Sequence, residues 1–170
     1  MSRDYPDWVH PLKAAQARRV FSGSMKLSQL SRVLDLIEPP GEDEIGFEIA
    51  FELDDQAQAR AQVRIRGTVA MLCQRSLKPY RQAVDSQSVI GIVSDELAAE
   101  GLPDDYEPLV LPEQRLSLAD LVAEELLLAL PLVPRSPDSE PLIAEGPEPE
   151  PDTQRPFAGL AQLKKQRRTD

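Results

Sequence analysis

Five cationic side chains in the middle of the chain are the residues best suited to contact phosphate. They lie in a stretch from Arg60 to Arg81 that contains no acidic residue, and they are Arg64, Arg66, Arg75, Lys78 and Arg81. Lys and Arg neutralise the phosphates of nucleic acids, and this pairing of charges supplies much of the affinity. The stretch therefore predicts a candidate contact surface for RNA or for a protein partner.

Two interpretations stay open for Arg64 and Arg66. Polar residues alternate with apolar ones here and in the preceding acidic stretch, which is typical of two strands with one solvated face. A hairpin that turns through residues 55–59 would place Asp54 opposite Arg60 and Glu48 opposite Arg66, and opposite charges attract across strands. For Arg64 and Arg66 we favour these cross-strand pairs of opposite charge over a contact with phosphate. Arg75, Lys78 and Arg81 lie beyond the acidic partners and are better candidates for RNA.

Catalytic chemistry has little support in the sequence. Cys73 is the only cysteine and His10 the only histidine, and neither lies in a recognisable motif. Glu124 and Glu125 are adjacent on a predicted helix, where neighbouring side chains point about 100 degrees apart and form no facing pair. We therefore expect no enzyme, no catalytic residue, no cofactor and no metal. Cys73 falls on the apolar side of its strand, where a thiol behaves as a small hydrophobic group.

The overall charge limits what the surface can bind. The formal net charge is -10, so any contact with RNA must be local. A single cysteine excludes an internal disulfide framework, and no apolar run approaches the roughly 20 residues that span a bilayer. The first residues lack the apolar stretch of a signal peptide. We expect a cytoplasmic protein with no membrane contact.

The pattern of elements indicates an α+β fold in which an antiparallel sheet is covered by one or two helices. The predicted strands are residues 47–53 and 61–73, a third strand pair at 80–85 and 88–93, and an edge strand at 107–111. A short helix is expected at 27–37. A second should begin after Ser117 and run to Leu130, with Leu128 and Leu130 widening its buried stripe.

Four regions follow from these elements. Residues 1–18 are expected to form an extended N-terminal arm and residues 19–132 the α+β domain. Residues 133–155 are acidic and proline-rich and should be a disordered linker. Residues 156–170 form a short basic segment that we expect to bind a partner. Its candidate contact residues are Phe157, Leu160, Leu163, Lys164 and Lys165.

Four segments resemble the YceD family, the large ribosomal RNA subunit accumulation proteins. They are VAMLCQRSLKPY, LPDDYEPLVL, LSLADLVAEELLLALPLVP and RPFAGLAQLKK. The resemblance implies a bacterial, cytoplasmic protein that supports normal levels of large-subunit ribosomal RNA, with no enzymatic activity. Family members commonly carry Cys-x-x-Cys where this chain has Cys73 and Ser76. A metal-binding or redox role of that pair therefore does not transfer to this chain.

Two functional hypotheses remain. In the first, the chain is a non-catalytic ribosome-biogenesis factor that acts through a ribosome-assembly or RNA-processing protein, with ribosomal RNA contacted directly or indirectly. In the second, it is an acidic adaptor or holding chaperone that screens a basic ribosomal protein and has no direct RNA role. The sequence leaves the partner and the oligomeric state open.

Overall fold

A computed structural model describes residues 5–39 and 41–140. The strands in chain order are β1 (Trp8–Val9), β2 (Val20–Lys26), β3 (Glu44–Leu53), β4 (Ala59–Leu72), β5 (Pro79–Val93), β6 (Glu107–Val110) and β7 (Leu116–Ser117). The α-helices are α1 (Pro11–Gln16), α2 (Glu96–Ala99) and α3 (Leu118–Ala129). Two 3-10 helices, Leu27–Gln29 and Ser31–Leu36, follow β2.

Five strands form one sheet in the order β2-β3-β4-β5-β6, and β1 pairs with β7 separately. The first four strands are antiparallel, whereas β6 runs parallel to β5. The α+β class is confirmed, but the sheet is mixed at this edge. A parallel neighbour needs a crossover connection, and residues 94–106 with α2 supply it.

The core lies on one face of the sheet. Alternate residues of β3 and β4, including Ile49, Val63 and Ile65, point to this face and are fully buried. The helices α1 and α3 pack against it, and α3 contributes the buried residues Leu118, Leu121, Val122 and Leu126. Ser117 caps α3 by accepting a hydrogen bond from the Asp120 N–H at 3.2 Å, as the sequence predicted. The opposite face of the sheet is polar.

The β3–β4 hairpin forms as predicted, but its register differs by two residues. Glu48 lies opposite Arg64, and Glu52 lies opposite Arg60. The predicted pairs of Asp54 with Arg60 and Glu48 with Arg66 are therefore wrong. The cause is the turn, because the Asp54 carboxylate accepts hydrogen bonds from the N–H groups of Gln56 and Gln58 at 2.8 and 2.9 Å. Asp54 thus closes the turn instead of joining the ladder.

Three further expectations need correction. The residues predicted as a third strand pair form one continuous strand, β5, which pairs with β4 over thirteen positions. The helix expected at 27–37 is a pair of short 3-10 helices. Leu128 is exposed and does not widen the buried stripe of α3, although Leu130 is buried.

Part of the expected N-terminal arm is folded onto the domain. Pro11 occupies the first turn of α1, where a missing N–H costs nothing. Val9, Ala14 and Ala15 are buried in the core. The guanidinium of Arg115 stacks 4.4 Å from the centre of the Trp8 ring, which also ties this segment down.

Residues 141–170 lie outside the described part of the chain. The candidate tail residues Phe157, Leu160, Leu163, Lys164 and Lys165 belong to this region, as does most of the expected linker. The linker's first eight residues, 133–140, are described and contact the domain at the turn between β4 and β5.

Candidate interaction surface

Arg64 and Arg66 lie on the solvated face of the sheet and share one acidic partner. Asp85 of β5 lies opposite Arg66, and its carboxylate is 3.3 Å from Arg66 Nε and 3.4 Å from Arg64 Nη2. Hydrogen bonding to Arg66 is the main cause that lowers the pKa of Asp85. The expected pairing of charges is present on this face, but the acidic partner comes from β5 rather than from β3.

Arg60 belongs to a separate polar network at the far end of β4. Its guanidinium contacts Glu52 at 2.7 Å and donates a hydrogen bond to the Tyr106 hydroxyl at 2.9 Å. Tyr106 in turn donates to the Asp54 carboxylate at 3.1 Å. This network joins the β3–β4 hairpin to the crossover that leads into β6, which is a structural task.

Arg81 was expected to lie beyond the acidic partners of the predicted hairpin, and its partner in the structure is Asp43, an acidic residue outside that hairpin. Its guanidinium makes two hydrogen bonds to the Asp43 carboxylate, at 2.6 and 3.1 Å, and this pairing raises the pKa of Arg81. Asp43 immediately precedes β3, and the register of the sheet carries it alongside the start of β5. The β3–β4 hairpin pattern does not predict this contact, because Asp43 and Arg81 are 38 residues apart in the sequence.

Arg75 and Lys78 lie on the tight turn between β4 and β5. The Cys73 N–H donates to the Lys78 carbonyl at 3.0 Å, and the Leu77 N–H donates to the Cys73 carbonyl at 2.9 Å. Arg75 reaches the Ser139 carbonyl at 2.9 Å. Within the described residues, Lys78 alone of the five candidates has a side chain with no hydrogen bond or ion pair. The structure thus does not gather the five cations into one free patch.

Cys73 is fully buried, as predicted from its position on the apolar side of the strand pattern, but its surroundings are polar. The Ser136 N–H donates to the sulfur at 3.3 Å, and the hydroxyls of Ser76 and Ser139 lie beside it. Burial acts to raise the pKa of Cys73, but these donors outweigh burial and lower the pKa to about 6. The sulfur therefore helps to hold residues 134–139 against the turn, a role that sequence reasoning missed.

An apolar groove lies beside this turn. It has a volume of about 490 Å³, and its lining residues are Asp35, Leu36, Met71, Gln74, Leu127, Leu130, Pro131, Leu132, Val133 and Pro134. Leu36 and Val133 are more than half exposed, and Leu132 is fully exposed. The signal for this surface was the run LLLALPLVP, since a helix buries one stripe and cannot bury every residue of such a run.

Catalytic and metal-binding constellations are not apparent in the part of the chain that the structure covers. Across residues 5–39 and 41–140, no three His, Cys, Asp or Glu side chains converge to hold a metal ion. His10 makes a hydrogen-bonding contact with the Gln114 carbonyl at 2.9 Å, far from Cys73 in the fold. Among these residues, no helix is long and apolar enough to cross a membrane.

Comparison with known proteins gives a consistent result. The family model described as large ribosomal RNA subunit accumulation protein YceD matches residues 61–164. The chain is 30% identical over 167 residues to the large ribosomal RNA subunit accumulation protein YceD of Haemophilus influenzae, covering 94% of this chain and 95% of that protein. No solved structure matches the chain. Residues 61–164 include most of β4, the basic turn (residues 73–78, between β4 and β5), α3 and all of the groove lining except Asp35 and Leu36. The family match and the relative together show that the chain belongs to the YceD family.

Proposed function

We propose that this chain is a non-catalytic, cytoplasmic factor that supports the accumulation of large-subunit ribosomal RNA by binding a ribosome-assembly or RNA-processing protein. The family description and the relative's name provide the process. The choice of a protein partner over RNA rests on the ion pairs that the cationic side chains already form. Three of the five central candidates, Arg64, Arg66 and Arg81, already form ion pairs within the fold, so only Arg75 and Lys78 of this set are left for phosphate.

The net charge supports the same choice. A surplus of ten negative charges repels RNA, and salt screens this repulsion only beyond about 8 to 10 Å. A direct RNA contact through the central candidates would therefore use Lys78 and Arg75, the two of them without an acidic partner in the described residues. Such a contact is secondary in this proposal and would add to the protein interface.

Deletion and nuclease treatment test the proposal together. We expect deletion of the gene in its host to lower mature large-subunit ribosomal RNA relative to small-subunit RNA, measured by quantitative sequencing of total RNA. We expect a tagged chain to retain its protein partner after nuclease treatment of the extract. Unchanged ribosomal RNA in the deletion strain contradicts the process, and a partner lost with the RNA contradicts the protein route.

Direct binding of purified ribosomal RNA tests the role of the basic turn. Changing Arg75 and Lys78 to Ala should weaken any binding and reduce the slope of log affinity against log salt by roughly 0.7 to 0.9 per lost phosphate contact. The matched control changes Arg64 and Arg66 to Ala, which removes the same charge from the sheet face. An equal loss in both double variants points to net charge rather than to a site on the turn.

A second candidate function is an acidic adaptor that screens a basic ribosomal protein. Its support is the acidic charge of residues 95–152, in which Asp and Glu far outnumber Lys and Arg. This alternative expects a complex with a basic ribosomal protein that weakens when Glu107, Glu113, Asp120 or Glu124 is neutralised. It also expects no RNA affinity for the unaltered chain near physiological salt, measured by filter binding.

A further inference from the structure

The groove at the carboxyl end of α3 has the shape and chemistry of a docking site. Its floor is formed by the buried residues Met71 and Leu130, and its walls by exposed residues on two segments. One wall is the second 3-10 helix with Leu36, and the other is the chain after α3 with Leu132 and Val133. Contiguous exposed apolar surface on a folded domain marks a site of protein contact more often than isolated apolar residues do.

The walls of the groove are held in place by ordinary structural contacts. Val33 of the second 3-10 helix is buried, and Arg32 of the same helix forms an ion pair with Glu124 of α3. On the other side, the Gln74 N–H donates to the Pro134 carbonyl at 2.8 Å. The groove is thus preformed, and a ligand need not first order its walls.

The charge at the groove favours a cationic ligand. Asp35 is the only charged residue of the lining, and within the described chain its carboxylate has no partner. The groove also lies at the carboxyl end of α3, where the helix dipole is negative and where the last turn carries no basic residue. Pro131 has no N–H to donate to the last-turn carbonyls. Asp35 and the helix dipole both disfavour phosphate within the groove itself, whereas the cations Arg75 and Lys78 lie outside its lining, on the neighbouring turn.

We propose that this groove binds an amphipathic segment of a basic protein partner, with apolar side chains packed between Leu36, Leu132 and Val133 and a Lys or Arg facing Asp35. The inference rests on the proposed function in that it locates the contact with the protein partner. It adds the site and the chemistry of the segment that the site accepts. The pattern is that of an apolar stripe flanked by cations, as in peptides that lie in hydrophobic grooves.

A photocrosslinking amino acid at position 132 of the full chain, expressed in its host, provides the first test. The matched control places the same residue at Leu97, which is also largely exposed but lies on α2, a helix that packs against β5 and β6 and does not line the groove. We expect a protein crosslink from position 132 that position 97 does not give. Mass spectrometry of that crosslink should return a segment with apolar residues and at least one flanking Lys or Arg.

The recovered segment, synthesised as a labelled peptide, is then the probe for binding by fluorescence anisotropy. We expect Leu132→Glu and Val133→Glu each to weaken binding at least tenfold and Leu97→Glu to leave it unchanged. Asp35→Lys should weaken binding severalfold, and changing the facing Lys of the peptide to Glu should restore it. Both groove residues are exposed, so circular dichroism should show every variant folded.

Several outcomes overturn the proposal. In the crosslinking experiment, they are a crosslink to RNA, to a second copy of the chain or to residues 157–165 of the chain itself, and equal crosslinking from positions 132 and 97. In the binding experiment, it is a peptide affinity that neither Leu132→Glu nor Val133→Glu changes. Ribosomal RNA is measured in the same cells. If the peptide binds the groove but deletion of the gene leaves ribosomal RNA at its normal level, the proposed function is refuted and the docking site is retained.

Discussion

Individual side chains in this fold show how burial and pairing decide the state of an ionisable group. Glu125 is 2% exposed on the face of α3 that packs against β5, and its carboxylate accepts a hydrogen bond from Ser88 at 2.6 Å. Burial is the main cause that raises the pKa of Glu125, with a smaller contribution from Glu107. Glu125 follows Glu124 directly in the sequence, but of these two residues only Glu125 is buried. Its role is structural.

The first prediction concerns this carboxyl group. A pKa that is raised in the folded state stabilises the fold at low pH, and the stabilisation is lost as the pH rises through the folded-state pKa. Glu125→Gln should therefore increase the free energy of unfolding by about 1 kcal/mol at pH 7. The two proteins should become equally stable below the ordinary pKa of 4.5. Urea unfolding from pH 4 to pH 8 measures the difference.

Glu113→Gln is the control for this prediction, because this substitution removes the same charge from an exposed position. It should change stability by no more than a few tenths of a kcal/mol at any pH. A stabilisation in the Glu113 variant that equals the one in the Glu125 variant indicates a general effect of net charge. In that event the buried position is not the cause.

The second prediction concerns the sulfur at the basic turn. The lowered pKa of Cys73 means that its contribution to stability is complete above the ordinary value of 9.0 and is lost as the pH falls through about 6. Ser76→Ala removes the hydroxyl that contributes most to lowering the pKa of Cys73. The thiolate absorbance at 240 nm should then titrate at a higher pH than in the unaltered chain.

Two further variants calibrate that titration. Cys73→Ser has no thiol and supplies the spectroscopic blank, while Ser22→Ala removes an exposed hydroxyl of β2 far from the sulfur. The Ser22 variant should titrate like the unaltered chain. A midpoint near 9 in the unaltered chain refutes the proposed role of the serine donors.

At the scale of elements, the turn between β4 and β5 contains an unfavourable backbone conformation. Leu77 has φ +53°, in the left-handed region that residues other than glycine and asparagine rarely occupy, and its side chain is 60% exposed. Nothing in the packing of the described residues explains a leucine here. An exposed leucine on a basic turn beside the groove extends the apolar surface of this end of the molecule.

The third prediction follows from that conformation. Leu77→Asn should raise the free energy of unfolding by about 0.5 to 1 kcal/mol, because asparagine tolerates the left-handed region better and no buried contact is lost. Thermal unfolding followed by circular dichroism measures the gain. Leu97→Asn, at an exposed helical position, should give none. A destabilised Leu77 variant is the result that contradicts the argument from strain.

The elements also show which parts of the fold can be predicted from sequence. The period-2 alternation in β3 and β4 and the capping serine of α3 are local signals, and both were read correctly. The register was missed because it depends on the hydrogen bonds of Asp54 within the turn. The two contacts that most change the candidate site, Arg81 with Asp43 and Ser136 with Cys73, join residues distant in sequence. No local pattern encodes them.

At the scale of the whole molecule, one end of the sheet concentrates the features that suit a partner. The basic turn, the cluster around Cys73 and the apolar groove meet where β4 ends, β5 begins and the chain leaves α3. The other end carries the crossover and the Arg60 network, in which Arg60 contacts Glu52 and Tyr106, and Tyr106 contacts Asp54. Within the described residues, the end that carries the groove is therefore the better candidate for contact with a partner.

The last prediction concerns where the folded domain stops. The expected boundary at residue 132 leaves out residues 134–139, which supply the Pro134 carbonyl to Gln74, the Ser136 N–H to Cys73 and the Ser139 carbonyl to Arg75. A chain truncated after Glu140 keeps all three contacts, whereas a chain truncated after Leu132 loses them and exposes the sulfur.

We therefore expect the 1–140 chain to unfold at the same denaturant concentration as the full chain and the 1–132 chain to be less stable by about 2 to 3 kcal/mol. Three lost hydrogen bonds at about 1 kcal/mol each account for this difference. Urea unfolding of the three chains provides the measurement. Equal stability of all three places the boundary at 132 and makes the contacts of residues 134–139 dispensable. Because the groove wall formed by Leu132, Val133 and Pro134 leads directly into these residues, the same experiment shows whether that wall is part of the cooperative fold.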